Sequence, residues 1–213
     1  MKQFKHMVIT DYIEHTASAS ATPGGGSVSA LVAALGAALG QMVYNLTVNK
    51  KSYQENDETT KVAVQSDWRA IVHLQDEFVD LIDRDIEAFN QYMDALALPK
   101  DTDAEKTVRS QAIADATIIA MEVPLETAGR ALELLKHLET ITRYGHKNCI
   151  SDAGVAGLLA HAALQSAVMN VRINLAGIKD ETIRQTAEKS CKAYIEEAGI
   201  LTKEIVESVY TRI

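Results

Sequence analysis

Asp83 and Asp85 stand two residues apart within Leu81-Ile82-Asp83-Arg84-Asp85-Ile86-Glu87-Ala88-Phe89. On a helix that spacing is a rotation of about 200°, so the two carboxylates point to different sides. The apolar stripe of the surrounding segment runs Leu74, Phe78, Ile82, Phe89, Met93 and Leu96, and Asp85 falls on it. A carboxylate there is buried or lines a pocket, and desolvation raises its pKa. That setting suits a general acid or base near neutral pH. The alternative is a buried aspartate paired with an arginine of a neighbouring helix. Asp83 lies off the stripe and by itself reads as a surface residue.

The second candidate is the turn Thr22-Pro23-Gly24-Gly25-Gly26-Ser27, which opens directly onto a run of small and apolar residues. Glycine loses more backbone entropy on folding than any other residue. A triplet is therefore expected only where φ is positive or backbones approach closely. Ser27 reads as the N-cap of a helix beginning Val28-Ser29-Ala30. Free N–H groups and the positive end of the helix dipole would then face an anion or a polar ring. A tight packing corner between two helices is the alternative.

Polar groups also interrupt a later apolar segment. Ser166, Asn170 and Asn174 are spaced four apart on one face, and either bridge helices or read the polar edge of a ligand. Arg172 sits among Val171, Ile173 and Leu175 and needs a carboxylate or phosphate partner, which could be internal. Asn148, Ser151 and Asp152 form the turn into this segment, with Ser151 as its expected N-cap. Lys50 and Lys51 close the glycine-led segment, where they complement a helix C-terminus or meet an anionic ligand tail. The histidines form no i, i+4 pair, so no metal site is expected. No P-loop lysine and no nucleophile elbow is present.

These groups must be positioned by helices, because no strand pattern appears. A short amphipathic helix is expected over about residues 6–18. A nearly all-apolar helix follows from Ser27 to about Lys50, with Ala33, Gly36, Ala37 and Gly40 on one close-packing face. The segment Asn56–Leu98 would be about 60 Å long, which demands a bend or a reach into a partner subunit. Thr102-Asp103-Ala104-Glu105 is a capping box that opens the next helix. Pro124 is expected to kink that helix near Met121, and Gly145 to end it as C′. Ser151 to about Gly177 is again apolar nearly all round, and Asp180 to Tyr210 is amphipathic. The expected fold is one all-α domain over 1–213, a helix bundle with two central apolar helices surrounded by long amphipathic ones.

Composition agrees with that fold. Hydrophobic residues make up 47% and aromatics only 5%, so Ala, Leu, Ile and Val must build the core. A net charge of −8 without a Lys/Arg cluster argues against nucleic acid as partner. Cys149 and Cys191 read as reduced thiols, and no secretory pattern opens the chain, so a cytoplasmic protein is expected. The apolar stretch Val28–Tyr44 is rich in Ala and Gly and ends in polar residues, which reads as a core helix rather than a membrane span.

In order along the chain, these blocks resemble the cyclodeaminase/cyclohydrolase family of folate enzymes. The resemblance is carried by Pro23-Gly24-Gly25-Gly26-Ser27-Val28, Leu46-Thr47 with Lys50-Lys51, and Asp83-x-Asp85 with Ala88-Phe89. It continues through Leu98-Pro99-Lys100, Val123-Pro124-Leu125, Asn148-Cys149-Ile150-Ser151-Asp152 and Asn170-Val171-Arg172-Ile173-Asn174-Leu175. His146 replaces an expected Asn, and Ile86 stands where Ala is usual after the second Asp. The resemblance implies an all-helical homodimer acting on a tetrahydrofolate derivative as substrate, with no tightly bound cofactor, in the stand-alone form of the family. It implies hydrolysis of 5,10-methenyltetrahydrofolate to 10-formyltetrahydrofolate, or cyclodeamination of formimidoyltetrahydrofolate with release of ammonia. One of Asp83 and Asp85 would be catalytic. Pro23, Gly24, Gly25, Gly26, Ser27, Asn148, Ser151, Asp152, Asn170 and Asn174 would contact substrate, and Lys50 or Lys51 its glutamate tail. A non-catalytic helical dimer that binds folate or protein is the reading from another class, and turnover of a folate substrate separates the two.

Overall fold

The chain's computed structural model describes residues 3–213 and holds no strand among them. Seven α-helices follow in order: α1 Ile9–Ala17, α2 Gly25–Thr47, α3 Lys51–Gln54, α4 Glu58–Ala97, α5 Asp103–Tyr144, α6 Ile150–Leu175 and α7 Glu181–Tyr210. Short 3-10 turns occupy Phe4–His6 and Lys147–Cys149. The short helix expected over 6–18 is therefore a 3-10 turn followed by α1.

Helices α2, α4, α5 and α6 pack as a ring in which α6 closes on α2, and α7 lies against α5 and α6. α2 and α6 run antiparallel. Gly25, at the start of α2, meets Asn170 near the end of α6, while Thr47, at the end of α2, meets Cys149 at the start of α6. At mid-length they approach closely: a Cβ on Gly36 would lie 3.1 Å from the Ala156 carbonyl oxygen. The small-residue face of α2 is thus a packing face against α6, with Ala33, Ala37, Ala156 and Ala160 all buried. Large apolar side chains of α4 and α5, among them Leu74, Phe78, Leu81, Leu134, Leu135 and Leu138, fill the ring.

α2 and α6 are the apolar pair expected at the heart of the bundle, and the amphipathic helices leave their outer side bare. Leu35, Met42 and Leu46 on α2, and Val155, Leu158, Met169 and Ile173 on α6, are exposed at helical spacing. By length and composition both helices could cross a bilayer; in this fold 56% and 50% of their most apolar windows are buried.

Several ends differ from expectation. α2 starts at Gly25, with Gly24 as a cap that has no side chain to offer, so Ser27 lies inside the first turn instead of capping it. None of the glycines has positive φ, so close approach alone explains the triplet. α2 ends at Thr47. Lys50 caps the separate α3, and Lys51 faces Glu55, so neither closes the long helix. α6 begins at Ile150 behind Cys149, and Ser151 does not cap it. Gly145 ends α5 with φ −58, not as a left-handed C′; a Cβ there would stand 2.9 Å from Val43 Cγ1.

The long helices match their sequence signals. Asp57, Thr102 and Asp180 cap α4, α5 and α7, and Thr102 with Glu105 forms the capping box. α4 and α5, of 40 and 42 residues, accommodate their length by lying against each other. Pro124 does not break α5. A proline has no N–H for the carbonyl four residues back, here Ala120. The Asn174 side-chain amide of α6 donates to that carbonyl at 2.7 Å.

Candidate active site

The glycine turn and the Asp83/Asp85 pair meet at one end of the bundle. Helix α2 arrives without an N-cap from its own sequence, leaving first-turn N–H groups to be satisfied. Asp85 of α4 supplies the acceptor: the Ser27 N–H donates to its Oδ2 at 2.8 Å. Gly26 makes room, because a Cβ there would lie 1.9 Å from Asp85 Oδ1. The other carboxylate oxygen, Oδ1, has no hydrogen-bond partner among the described residues.

Burial drives the Asp85 carboxyl pKa upward, and the Ser27 N–H partly offsets it. No arginine pairs with Asp85. The expected inward orientation is therefore found, and the alternative of a structural Asp–Arg pair is not. Ile86 turns into the interior and is 3% exposed.

Asp83 is not the plain surface residue that periodicity suggests. Its Oδ1 accepts the backbone N–H groups of Phe4 at 2.7 Å and Lys5 at 3.3 Å. Its Oδ2 is buried without a partner among the described residues. Asp83 thus holds the segment leading into α1, with Lys5 bonded to Asp80 beside it.

Pro23 is buried behind the turn and follows a cis Thr22–Pro23 peptide. A Cβ on Gly25 would lie 3.1 Å from the Asn170 amide nitrogen, so this asparagine covers the start of α2. Asn170 donates to the Ser166 carbonyl of its own helix. Asn174 donates to Ala120 and Asn170 carbonyls, which makes it a tie between α6 and α5. Of the two alternatives read from spacing, bridging describes Asn174, whereas Asn170 borders the glycine turn. Arg172 pairs with Glu188 of α7 at 2.9 Å, the internal partner its charge requires.

The remaining sequence candidates lie elsewhere. α2 spans 23 residues, about 34 Å, and Lys50 and Lys51 follow its far end. Asn148, Ser151 and Asp152 sit at that same far end, where His146 N–H donates to Thr47 Oγ1 at 2.8 Å and His146 Nδ1 accepts from the Asn148 N–H. The candidates thus form two groups at opposite ends of the bundle. One is Pro23 to Ser27, Asp83, Asp85, Asn170 and Asn174. The other is Lys50, Lys51, Asn148, Ser151 and Asp152. Linear sequence order hides this separation, since both groups flank the same two helices.

Sequence reasoning missed Tyr12. It is the one buried residue of α1, and its hydroxyl lies 2.9 Å from Ser27 Oγ. The isolated tyrosine of a short, otherwise exposed helix was its only signal. No group of three or more His, Cys, Asp or Glu side chains that could hold a metal occurs among the described residues.

Residues 8–193 match the family described as formiminotransferase-cyclodeaminase. The chain is 37% identical over 205 residues to the methenyltetrahydrofolate cyclohydrolase of Methylorubrum extorquens, covering 96% of this chain and 97% of that one. It is 34% identical over 187 residues to the formimidoyltransferase-cyclodeaminase of Gallus gallus, covering 88% of this chain but only 34% of that longer protein. A crystal structure of formiminotetrahydrofolate cyclodeaminase from Thermotoga maritima superposes with a TM-score of 0.84 at 27% identity, over 97% of this chain and 98% of that one.

Proposed function

The chain belongs to the formiminotransferase-cyclodeaminase family, and on that premise we propose that it hydrolyses 5,10-methenyltetrahydrofolate to 10-formyltetrahydrofolate with Asp85 as the catalytic carboxylate. The full-length match to a cyclohydrolase supports this choice over cyclodeamination. One observation carries the assignment of Asp85. Its carboxylate is gripped at Oδ2 by the Ser27 N–H, while Oδ1 leans over Gly26 with no protein donor.

The substrate's reactive carbon is cationic and lies between two nitrogens. An anion held beside it stabilises the bound cation. A water's oxygen bonds that carbon while Asp85 accepts its proton, which forms a tetrahedral adduct. The C–N5 bond then breaks, the carbon keeps its oxygen as a formyl group on N10, and N5 becomes an amine. Hydrolysis of the cation releases one proton overall. A carboxyl whose pKa burial has raised is suited to accept and return that proton near neutral pH. Asn170 and the glycine turn form the wall against which the flat ring system lies.

A homodimer completes the site in this reading. The bare apolar side of α2 and α6 supplies the interface. A two-fold axis across the antiparallel pair turns the far end of one protomer toward the glycine turn of its partner. Lys50, Lys51, Asn148, Ser151 and Asp152 then serve the site of the other subunit, with the lysines toward the glutamate tail.

One spectrophotometric assay with both folates side by side tests the reaction. Loss of methenyl-folate absorbance above the solution rate marks the hydrolase. Accumulation of methenyl-folate from formimino-folate marks the cyclodeaminase, the activity named for the Thermotoga structure. Neither conversion would sink the enzyme reading and leave the binding dimer.

A further inference from the structure

We propose that Tyr12 is a positioning residue for Asp85, acting through Ser27, and that Asp83 serves the same end by anchoring the segment that carries Tyr12. The proposal rests on the reading of Asp85 as the catalytic carboxylate. Ser27 is fully buried, and the partner of its hydroxyl is the Tyr12 hydroxyl at 2.9 Å. The backbone N–H of the same residue is the donor that holds Asp85 Oδ2. One serine therefore links the tyrosine of α1 to the carboxylate of α4 across the first turn of α2.

Within α1 itself, burial rests on a single residue. Its nine residues include one buried side chain, Tyr12, while Val8, Ile9 and Ile13 are 65%, 74% and 60% exposed. Phe4 and Met7, ahead of the helix, pack against the core beside Tyr12, and the rest of the anchoring is polar. Phe4 and Lys5 N–H groups donate to Asp83, Lys5 Nζ meets Asp80, and Tyr12 bonds Ser27. A helix whose apolar side chains face solvent gains little from docking as such. The one side-chain hydrogen bond from α1 itself to the bundle goes to the residue that supplies the Asp85 donor.

The group that touches Asp85 is the Ser27 N–H from α2; beyond it lie the Tyr12 hydroxyl from α1, on Ser27, and the neutral Asn170 amide from α6, beside Gly25, while Asp83 of α4 is turned to the Phe4 and Lys5 N–H groups. The nearby Arg84 is turned outward to Glu126. Loosening the Ser27 N–H removes the fixed donor that favours the ionised carboxyl, so its pKa rises further.

The test is the kcat pH profile of Tyr12→Phe with methenyl-folate, beside Ser27→Ala and Asp85→Asn. Tyr12→Phe is expected to lower kcat about 10- to 100-fold with KM within about twofold, since a small displacement of a catalytic group costs that much. The acid limb should also move to higher pH. Ser27→Ala should reproduce both changes, and the double variant should lose no more than either single one. A merely structural tyrosine would lower the melting temperature and leave the acid limb in place. An unmoved limb in both variants, or an unchanged kcat, with Asp85→Asn inactive, overturns the positioning role and spares the assignment of Asp85. An active Asp85→Asn overturns both.

Discussion

A Cβ on Gly26 would stand 1.9 Å from Asp85 Oδ1, closer than a non-bonded carbon and oxygen can come. The third glycine is therefore the shape of the carboxylate, drawn in backbone. Gly26→Ala must push Asp85 off its Ser27 donor. The expected outcome is loss of about 100-fold or more in kcat from a folded protein, since the reacting group moves by an ångström or more. Steady-state kinetics with circular dichroism as the folding control checks it. Full activity would mean that the carboxylate does no chemistry where it lies.

Replacing the carboxylate itself separates the two aspartates. Asp85→Asn should reduce turnover about 10²- to 10⁴-fold, the usual worth of a positioned acid–base group. Asp83→Asn retains an oxygen that can accept from Phe4 and Lys5, so its loss should be much smaller. The reverse order of effects would exchange their roles.

The pH dependence follows from the direction of the Asp85 shift. Burial raises its pKa above the ordinary carboxyl value. As pH falls through that raised value the base becomes protonated, so activity should fall on the acid side sooner than for an ordinary aspartate. For stability the sign is opposite to the common salt-bridged case. The neutral form is favoured by folding, so this contribution is present below the unfolded pKa and is lost as pH rises through the folded one. Asp85→Asn should therefore be more heat-stable than the parent at neutral and alkaline pH. The difference should shrink toward acid, which melting curves across pH will read.

The shared site has a sharp genetic test. Asp85→Asn and Lys51→Ala should each be impaired alone. Mixed, unfolded and reassociated, they should regain about a quarter of parental activity, because half the dimers are hybrids with one intact site of two. If each protomer holds a whole site, the mixture will give only the average of its parts. Met169→Glu or Ile173→Glu, on the bare side of α6, should lower the sedimenting mass to that of a monomer.

Asn174 and Pro124 form a pair that denaturation can resolve. Asn174→Ala strands the Ala120 carbonyl and should cost about 1–3 kcal/mol. With Pro124→Ala in the background, residue 124 regains an N–H for that carbonyl, and the cost should drop. Equal costs in both backgrounds would show that the tie is idle.

Much of the helical order was legible because caps and apolar periods are local signals. Thr102, Glu105 and Asp180 mark their helix starts by chemistry that acts within three residues. The inward orientation of Asp85 was legible for the same reason. The donors it finds were not. Ser27 looks like an N-cap until a carboxylate 58 residues away takes that role from outside the helix. Asp83 looks solvated until Phe4 and Lys5 fold back onto it. Lys50 and Asn170 both belong to motif-like blocks, yet the antiparallel pairing of α2 and α6 sends them to opposite ends. Tyr12 carried no motif, and its importance lies in one long-range contact.

The missing N–H of Pro124 has a consequence beyond α5. An unbroken helix could slide along its neighbour by a turn and find equivalent grooves. This one carries a carbonyl freed by Pro124 and served by Asn174 of α6, which favours one register of the two helices. Asn170, one turn before Asn174 on the same helix, borders the glycine turn of α2. A residue known for disrupting helices acts here as the index mark by which two of them are aligned.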